Sequence, residues 1–365
     1  MELNAMPLSG LPAALAPHFH TLQDPSPDSL GDTPEAFLAS LDGPTCIVLT
    51  GADPGRCRAL VTLLHGNEPS GLRALHRWIR AENQPAVTIV CVIAAVEAAQ
   101  HPPVFSHRTL TGRRDLNRCF RAPFDIDAQG LLAQRILDLL VHFAPEAVID
   151  LHNTSGSGPS FGVSICADDA HLALTTLFTR RLVHTDLRLG SLMEISEHLV
   201  PTVTIECGGR NDDAAHTVAW AGIDHYFRRT DVLTRRADIA VDVMHNPVRL
   251  ELTPECSLAY ADTPRNDVQL TLRPDIEHYN FGVTAAGTSL GWVRGARLDE
   301  LFIAKNTARN CLLKDVLTLT DGELMTRQPL KLFMITTQPT IAKTDCLCYA
   351  VQADGRELIA GQVPA

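Results

Sequence analysis

At 365 residues, with 45% hydrophobic and 20% charged side chains, the chain has the length for one large domain or two ordinary ones and the make-up of a soluble globular protein. Its formal net charge of −11 argues against general nucleic-acid binding, which relies on basic surface, so any anion pocket must be assembled locally from arginines. No apolar run has the length to span a bilayer and no Lys or Arg precedes Arg56, so the expected setting is the cytoplasm, with no secretory signal and no membrane partner.

Residues 1–43, rich in Pro, Asp and Ser, are expected to form a loose N-terminal cap with one short helix near Pro34–Leu41. From Thr45 the pattern becomes regular. Cys46–Thr50 and Ala59–Leu64 read as strands, separated by turn chemistry at Gly51–Gly55. Leu72, Leu75, Trp78 and Ile79 are spaced for a helix over Leu72–Ala81, and Ala86–Ala95 is a long apolar strand. Further on, Asp127–Phe143, Asp168–Val183 and Asp212–Leu233 read as helices, and Ala147–His152, Phe161–Cys166 and Thr202–Glu206 as strands. Apolar strands alternating with helices predict an α/β domain over 44–243, with a mixed, mostly parallel sheet flanked by helices. Beyond residue 243 the texture changes to short segments (Val268–Leu272, Leu290–Val293, Val316–Leu319, Leu330–Ile335, Cys346–Val351) divided by Gly, Pro and Asp turns. This predicts a smaller β-rich C-terminal domain over 244–365. The ten cysteines are scattered without a CxxC pair, which suits reduced, mostly buried thiols. Cys207 draws interest because it directly follows Glu206.

Four short segments carry the chemistry: His65-Gly-Asn-Glu68, Arg114-Asp115-Leu-Asn117-Arg118, Asp150-Leu-His152-Asn153 and Thr204-Ile-Glu206-Cys207. Two histidines and a carboxylate can hold zinc and leave a position open for water, and a spare carboxylate can take that water's proton. His65, His152 and Glu206 all fall at or just past the C-terminal ends of predicted strands, where α/β sheets place their sites. Each pattern alone has a blander explanation. Glu68 could serve only the dipole at a helix start, Asp150 and His152 could make a structural hydrogen bond, and Glu206 could be a solvated strand end. Asp150 shares a strand face with His152 and is a candidate to orient a metal-binding imidazole. Arg108, Arg113, Arg114, Arg118 and Arg121 crowd one stretch, which reads as a solvated basic loop or as a carboxylate grip built on Asn117 and Arg118. Asp115 could anchor an arginine there.

Taken together and in this order, the HGNE, DLNR, DLHN and IECG segments resemble the succinylglutamate desuccinylase/aspartoacylase family, within the wider zinc carboxypeptidase-like group. The resemblance runs from about Val61 to Gly209. It implies one zinc ion on His65, Glu68 and His152, Glu206 as the base, and Asn117 and Arg118 in substrate binding. It also implies an arginine, a few residues before the DLNR segment, that polarises the scissile carbonyl. Strict spacing falls on Leu110, so Arg108 is assigned this role across a short insertion, with Arg113 or Arg114 as substitutes; Arg114 is also counted among the substrate-binding candidates. Aspartoacylase-like members carry an arginine for the substrate carboxylate about ten residues before the base. Ser196 stands there, between Glu194 and Glu197, which disfavours an N-acyl aspartate or glutamate unless Arg210 substitutes. A tyrosine of the C-terminal region, Tyr260, Tyr279 or Tyr349, is expected near the substrate.

The expected function is a zinc-dependent hydrolase that cuts an amide bond of a small N-acyl amino acid-like substrate. Two alternatives stand beside it: a carboxypeptidase-like enzyme acting on short peptides, and a metal-containing binding module without turnover. His and carboxylate ligands would also accept nickel, cobalt or manganese, and the reading leaves room for a homo-oligomer.

Overall fold

The computed structural model describes residues 11–154, 156, 158–305 and 313–353; Cys311 and the outer ends of the expected cap and C-terminal domain lie outside them. Nine strands build the large sheet: β1 (His20–Gln23), β2 (Thr45–Leu49), β3 (Asp53–Thr62), β4 (Val87–Ile93), β5 (Val148–Thr154), β6 (Phe161–Ser164), β7 (Arg181–His184), β8 (Thr202–Gly209) and β9 (Asp242–His245). Their order is β1-β2-β4-β3-β5-β8-β6-β7-β9. β4, β3 and β5 run parallel, whereas β2 opposes β4 and β8 opposes β6.

Six helices accompany these strands: α1 (Pro34–Ala39), α2 (Ser70–Arg80), α3 (Val96–Gln100), α4 (Ala128–Phe143), α5 (Asp169–Thr176) and α6 (Asp213–Arg228). Strand side chains alternate between two cores. Ile47 and Leu49 join Trp78 of α2 and Tyr226 and Phe227 of α6, while Cys46 and Val48 join Ala133, Ile136 and Leu140 of α4. Covering both faces explains why β4 is buried from end to end, with Thr88 its one polar side chain. Arg58, wholly buried in β3, donates to Glu146 and to the carbonyls of Tyr226, Arg229 and Thr230, which locks the end of α6 onto the sheet.

Two local expectations change. The helix expected over Asp168–Val183 stops at Thr176, and Arg181–His184 becomes a strand paired with β6. Pairing β6 along its open edge outweighs the helical reading. The Gly51–Gly55 turn is shorter than expected, because β3 already begins at Asp53 and slips register between Asp53 and Cys57. Within 1–43, His20–Gln23 pair with β2 at the sheet edge, and the short helix runs Pro34–Ala39.

The described residues fall into two units, one holding most of the chain up to 243 and the other holding 154–159, 185–187 and the chain from 244 onward. The second contains two five-stranded sheets around its own apolar core, which includes Leu250, Leu272, Leu324 and Leu332. The hydroxyl of Tyr260 donates to the Thr336 carbonyl, and that of Tyr349 accepts from Arg249, all inside this unit.

Candidate active site

The HGNE segment leaves β3 through Leu63, a buried residue at φ 59°, in the left-handed region that a leucine enters at a cost. His65 follows at once, and Glu68 reaches back in a tight turn, its amide donating to the His65 carbonyl. Gly66 lies within this turn. Its requirement is room: a Cβ there would sit 2.6–2.7 Å from backbone atoms of Ala98, Ala99 and His107. Its amide donates to the Arg108 carbonyl at 3.0 Å, so this close approach brings the arginine loop to the histidine. β5 carries Asp150 and His152, and β8 carries Glu206 beside it in the sheet.

These elements bring His65, Glu68 and His152 together, all buried, with one ligand atom from each lying within 4.8 Å of the others. Each imidazole turns Nδ1 to the Glu68 carboxylate, at 2.8 Å from His65 and 2.7 Å from His152. Each keeps Nε2 against a second carboxylate behind it, Asp115 at 2.8 Å and Asp150 at 2.9 Å. The sequence left open which histidine Asp150 orients; it is His152. Asp115 does more than anchor an arginine, because it holds both His65 and Arg108, the latter at 2.8 Å. Asp150 is held in turn by the Thr204 hydroxyl at 3.0 Å. Imidazoles fixed by carboxylates from behind are the usual arrangement of metal-binding histidines.

Electrostatics follow from this packing. Glu68 is held well below the usual carboxylate range, since His65 and His152 outweigh its burial, and its neighbours raise His152 well above its ordinary value. Glu206 behaves oppositely. Burial lifts its carboxyl to about 7, with His152, His65 and Arg108 pulling downward and Glu68 pushing upward. Its Oε2 is buried without a hydrogen-bond partner among the described residues. A buried acceptor left unpaired is costly, and this one belongs to a carboxylate whose strongest electrostatic neighbours are the cluster. Cys207 joins the core at 2% exposure, and burial together with Glu206 keeps its thiol protonated.

The arginines divide. Arg108 donates to Glu68 at 3.3 Å as well as to Asp115, so it stands at the cluster. Arg118 donates to the Asn117 carbonyl, and the Asn117 side chain accepts from the Leu192 amide at 3.0 Å. Arg114 turns to Asp125 and Asp127 at the start of α4. Arg113 faces Glu97, and Arg210 reaches the Phe105 carbonyl at 3.4 Å. Ser196 accepts from the Thr202 amide and donates to its carbonyl. Glu194 accepts from the amides of Leu189, Gly190 and Ser191, and Glu197 pairs with Arg188. These two acids are therefore engaged locally.

Sequence reasoning missed Asn153 as a tie. Its side chain accepts from the Ser70 amide and donates to Ser70 Oγ and to the Gly208 carbonyl, while its own amide reaches Glu68. No local signal announces it, since the helix start that Asn153 ties down lies 83 residues earlier in the chain.

The fold and the cluster define a mixed α/β domain with its polar centre at the carboxyl edge of the parallel strands. Residues 54–218 match the family model for the succinylglutamate desuccinylase/aspartoacylase catalytic domain, a family of hydrolytic deacylases. Two solved structures resemble it along nearly their whole length. A succinylglutamate desuccinylase from Vibrio parahaemolyticus is 11% identical, with a TM-score of 0.56, covering 89% of this chain and 96% of that one. A succinylglutamate desuccinylase/aspartoacylase from Rhodobacter sphaeroides is 17% identical, with a TM-score of 0.54, covering 86% and 88%. At such identities the likeness establishes the shared fold. No curated protein sequence matches the chain. Among the described residues no helix is long and apolar enough to cross a membrane.

Proposed function

We propose that the chain is a zinc-dependent hydrolase that cleaves an amide bond in a small N-acyl amino acid-like compound. The residues fit the metal: His65 and His152 offer Nδ1, Glu68 offers a carboxylate oxygen, and both imidazoles are oriented by acids. A zinc ion held there would supply a Lewis acid that polarises a carbonyl and acidifies water. Glu206, whose carboxylate lies beside the cluster, takes the proton from the attacking water and hands it to the departing amine. Arg108, already committed to Glu68 and Asp115, donates to the oxygen on which negative charge develops. Asn117 and Arg118 bind the substrate's polar end, with Arg210 in reserve. Arg114, held by Asp125 and Asp127, is a weaker candidate for contact with substrate. We retain a cytoplasmic setting, in which the thiols stay reduced.

The observation that carries this reading is the buried Glu206 oxygen without a partner, next to two acid-oriented histidines. A module that only bound metal would have no use for such a base. The test is a hydrolysis screen of N-acyl amino acids and dipeptides on zinc-loaded enzyme, with and without chelator. Chelator-sensitive release of amine from N-acyl amino acids is expected. Cleavage of dipeptides alone would move the assignment to a peptidase, and no turnover of either class would leave a binding module.

A further inference from the structure

Apart from the His-Glu-His cluster, the first unit contains a cavity of about 500 Å³ at the same end of the sheet. His20 opens β1 opposite Thr45 of β2, and Thr45 stands opposite Ile93 at the end of β4. Ile93 in turn pairs with Thr62, just before the turn to His65. Arg108, Arg113 and Arg135 line the cavity together with His20, Asp42 and Glu97. Its size is that of a small-molecule site.

Three arginines line one hollow in a chain of net charge −11, Arg108 with its guanidinium already engaged by Glu68 and Asp115. Asp42 and Glu97 offset part of that charge, and Glu97 stands 3.8 Å from Arg113. Arg135, half-buried on α4, has no hydrogen-bond or ion-pair partner among the described residues. His20 Nδ1 is likewise buried without a partner among them. Gathering cations against their mutual repulsion and leaving one unpaired costs free energy unless an anion completes the set. The first turn of α4, at Ala128 and Gln129, also faces the cavity and adds the positive end of a sixteen-residue helix.

We propose that this cavity binds a small organic anion, through a carboxylate or phosphate group held by Arg135 and Arg113, at a site distinct from the bond-cleaving cluster. Arg108 borders both, so occupancy is felt at the cluster. None of the groups that would grip the anion is a proposed zinc ligand, so the inference stands independently of the hydrolytic reading.

The test is calorimetric titration of full-length, zinc-loaded protein with inorganic phosphate and, separately, with malonate, which distinguishes the two sources of the anionic group. Saturable binding of at least one probe is expected, weakened about tenfold or more in R135Q and further in R113Q/R135Q. Both variants keep the metal site, so an anion resting on zinc would bind them as it binds the wild type. Should R135Q fail to fold, R113Q in the preceding loop gives the same reading by itself. Absence of binding by either probe, or equal binding in the wild type and the arginine variants, overturns the proposal. A protein that binds anions here yet hydrolyses nothing would sink the hydrolase reading and leave this one standing.

Discussion

Among its described residues the first unit contains two groups of side chains with metal-ligand chemistry, and they differ in what stands behind the ligands. His65, Glu68 and His152 form one; Cys166, Asp168 and His171 form the other. In the first, each imidazole spends one nitrogen on an acid outside the trio and turns the other to the centre. In the second, the only imidazole, His171, turns Nδ1 to Asp168 at 2.7 Å and is backed at Nε2 by the Ser196 hydroxyl at 3.2 Å, a neutral group in place of an acid. Asp168 is itself the N-cap of α5, and Ser196 anchors the start of β8. The Glu68 side chain is 6% exposed, against 62% for Asp168. Ligand type and proximity alone do not make a metal centre. Imidazoles backed by acids and converging on a shared carboxylate, in a dry setting, do.

Four substitutions test this contrast. Replacing His152 with Ala removes a ligand of the first group. Metal analysis should find zinc lost, and turnover should fall on the order of 10³-fold or more. Glu206→Gln keeps the trio intact, so zinc content should stay at the wild-type level while kcat drops about 10²- to 10⁴-fold. A fully active Glu206→Gln enzyme would remove the base from the scheme. Asp150→Asn alters only the support of His152, and chelator competition should read about 10- to 100-fold weaker zinc binding. Asp168→Ala strikes the second group. Zinc stoichiometry and kcat should not change, and denaturant unfolding should show a loss of about 1 kcal/mol from the missing cap. If Asp168→Ala lowered metal content, the distinction between the groups would fail.

Much of the site was legible because its residues sit at strand ends, and strand ends are what alternating apolar runs reveal best. Val148 to Ile149 and Val203 to Ile205 mark the strands, and Asp150, His152 and Glu206 follow from their positions. The arginines were less legible because a loop has no period. Nothing in the order Arg108, Arg113, Arg114 says that the first meets Glu68, the second Glu97 and the third the acids at the start of α4. The role of Gly66 was hidden for a related reason, since its crowding comes from Ala98, Ala99 and His107, more than thirty positions away. In the C-terminal unit the expected strands recur near Leu270–Leu272, Ser289–Val293, Leu317–Thr320, Leu330–Phe333 and Cys348–Gln352, but Val248–Leu252, Leu258–Tyr260, Val283–Thr284, Glu323–Thr326 and Phe302–Lys305 escaped notice. The last of these is too short, and too mixed in exposure, to announce itself.

The amide side chain of Asn153 joins the start of α2 to the carbonyl of Gly208, and its backbone grips Glu68. Three loops that arrive from distant parts of the chain are thereby stitched into one mechanical block. Such a block does not loosen piecemeal. Solvent deuterium should reach the amides of Glu68, Ser70 and Asn153 at a shared rate, in a single breathing event.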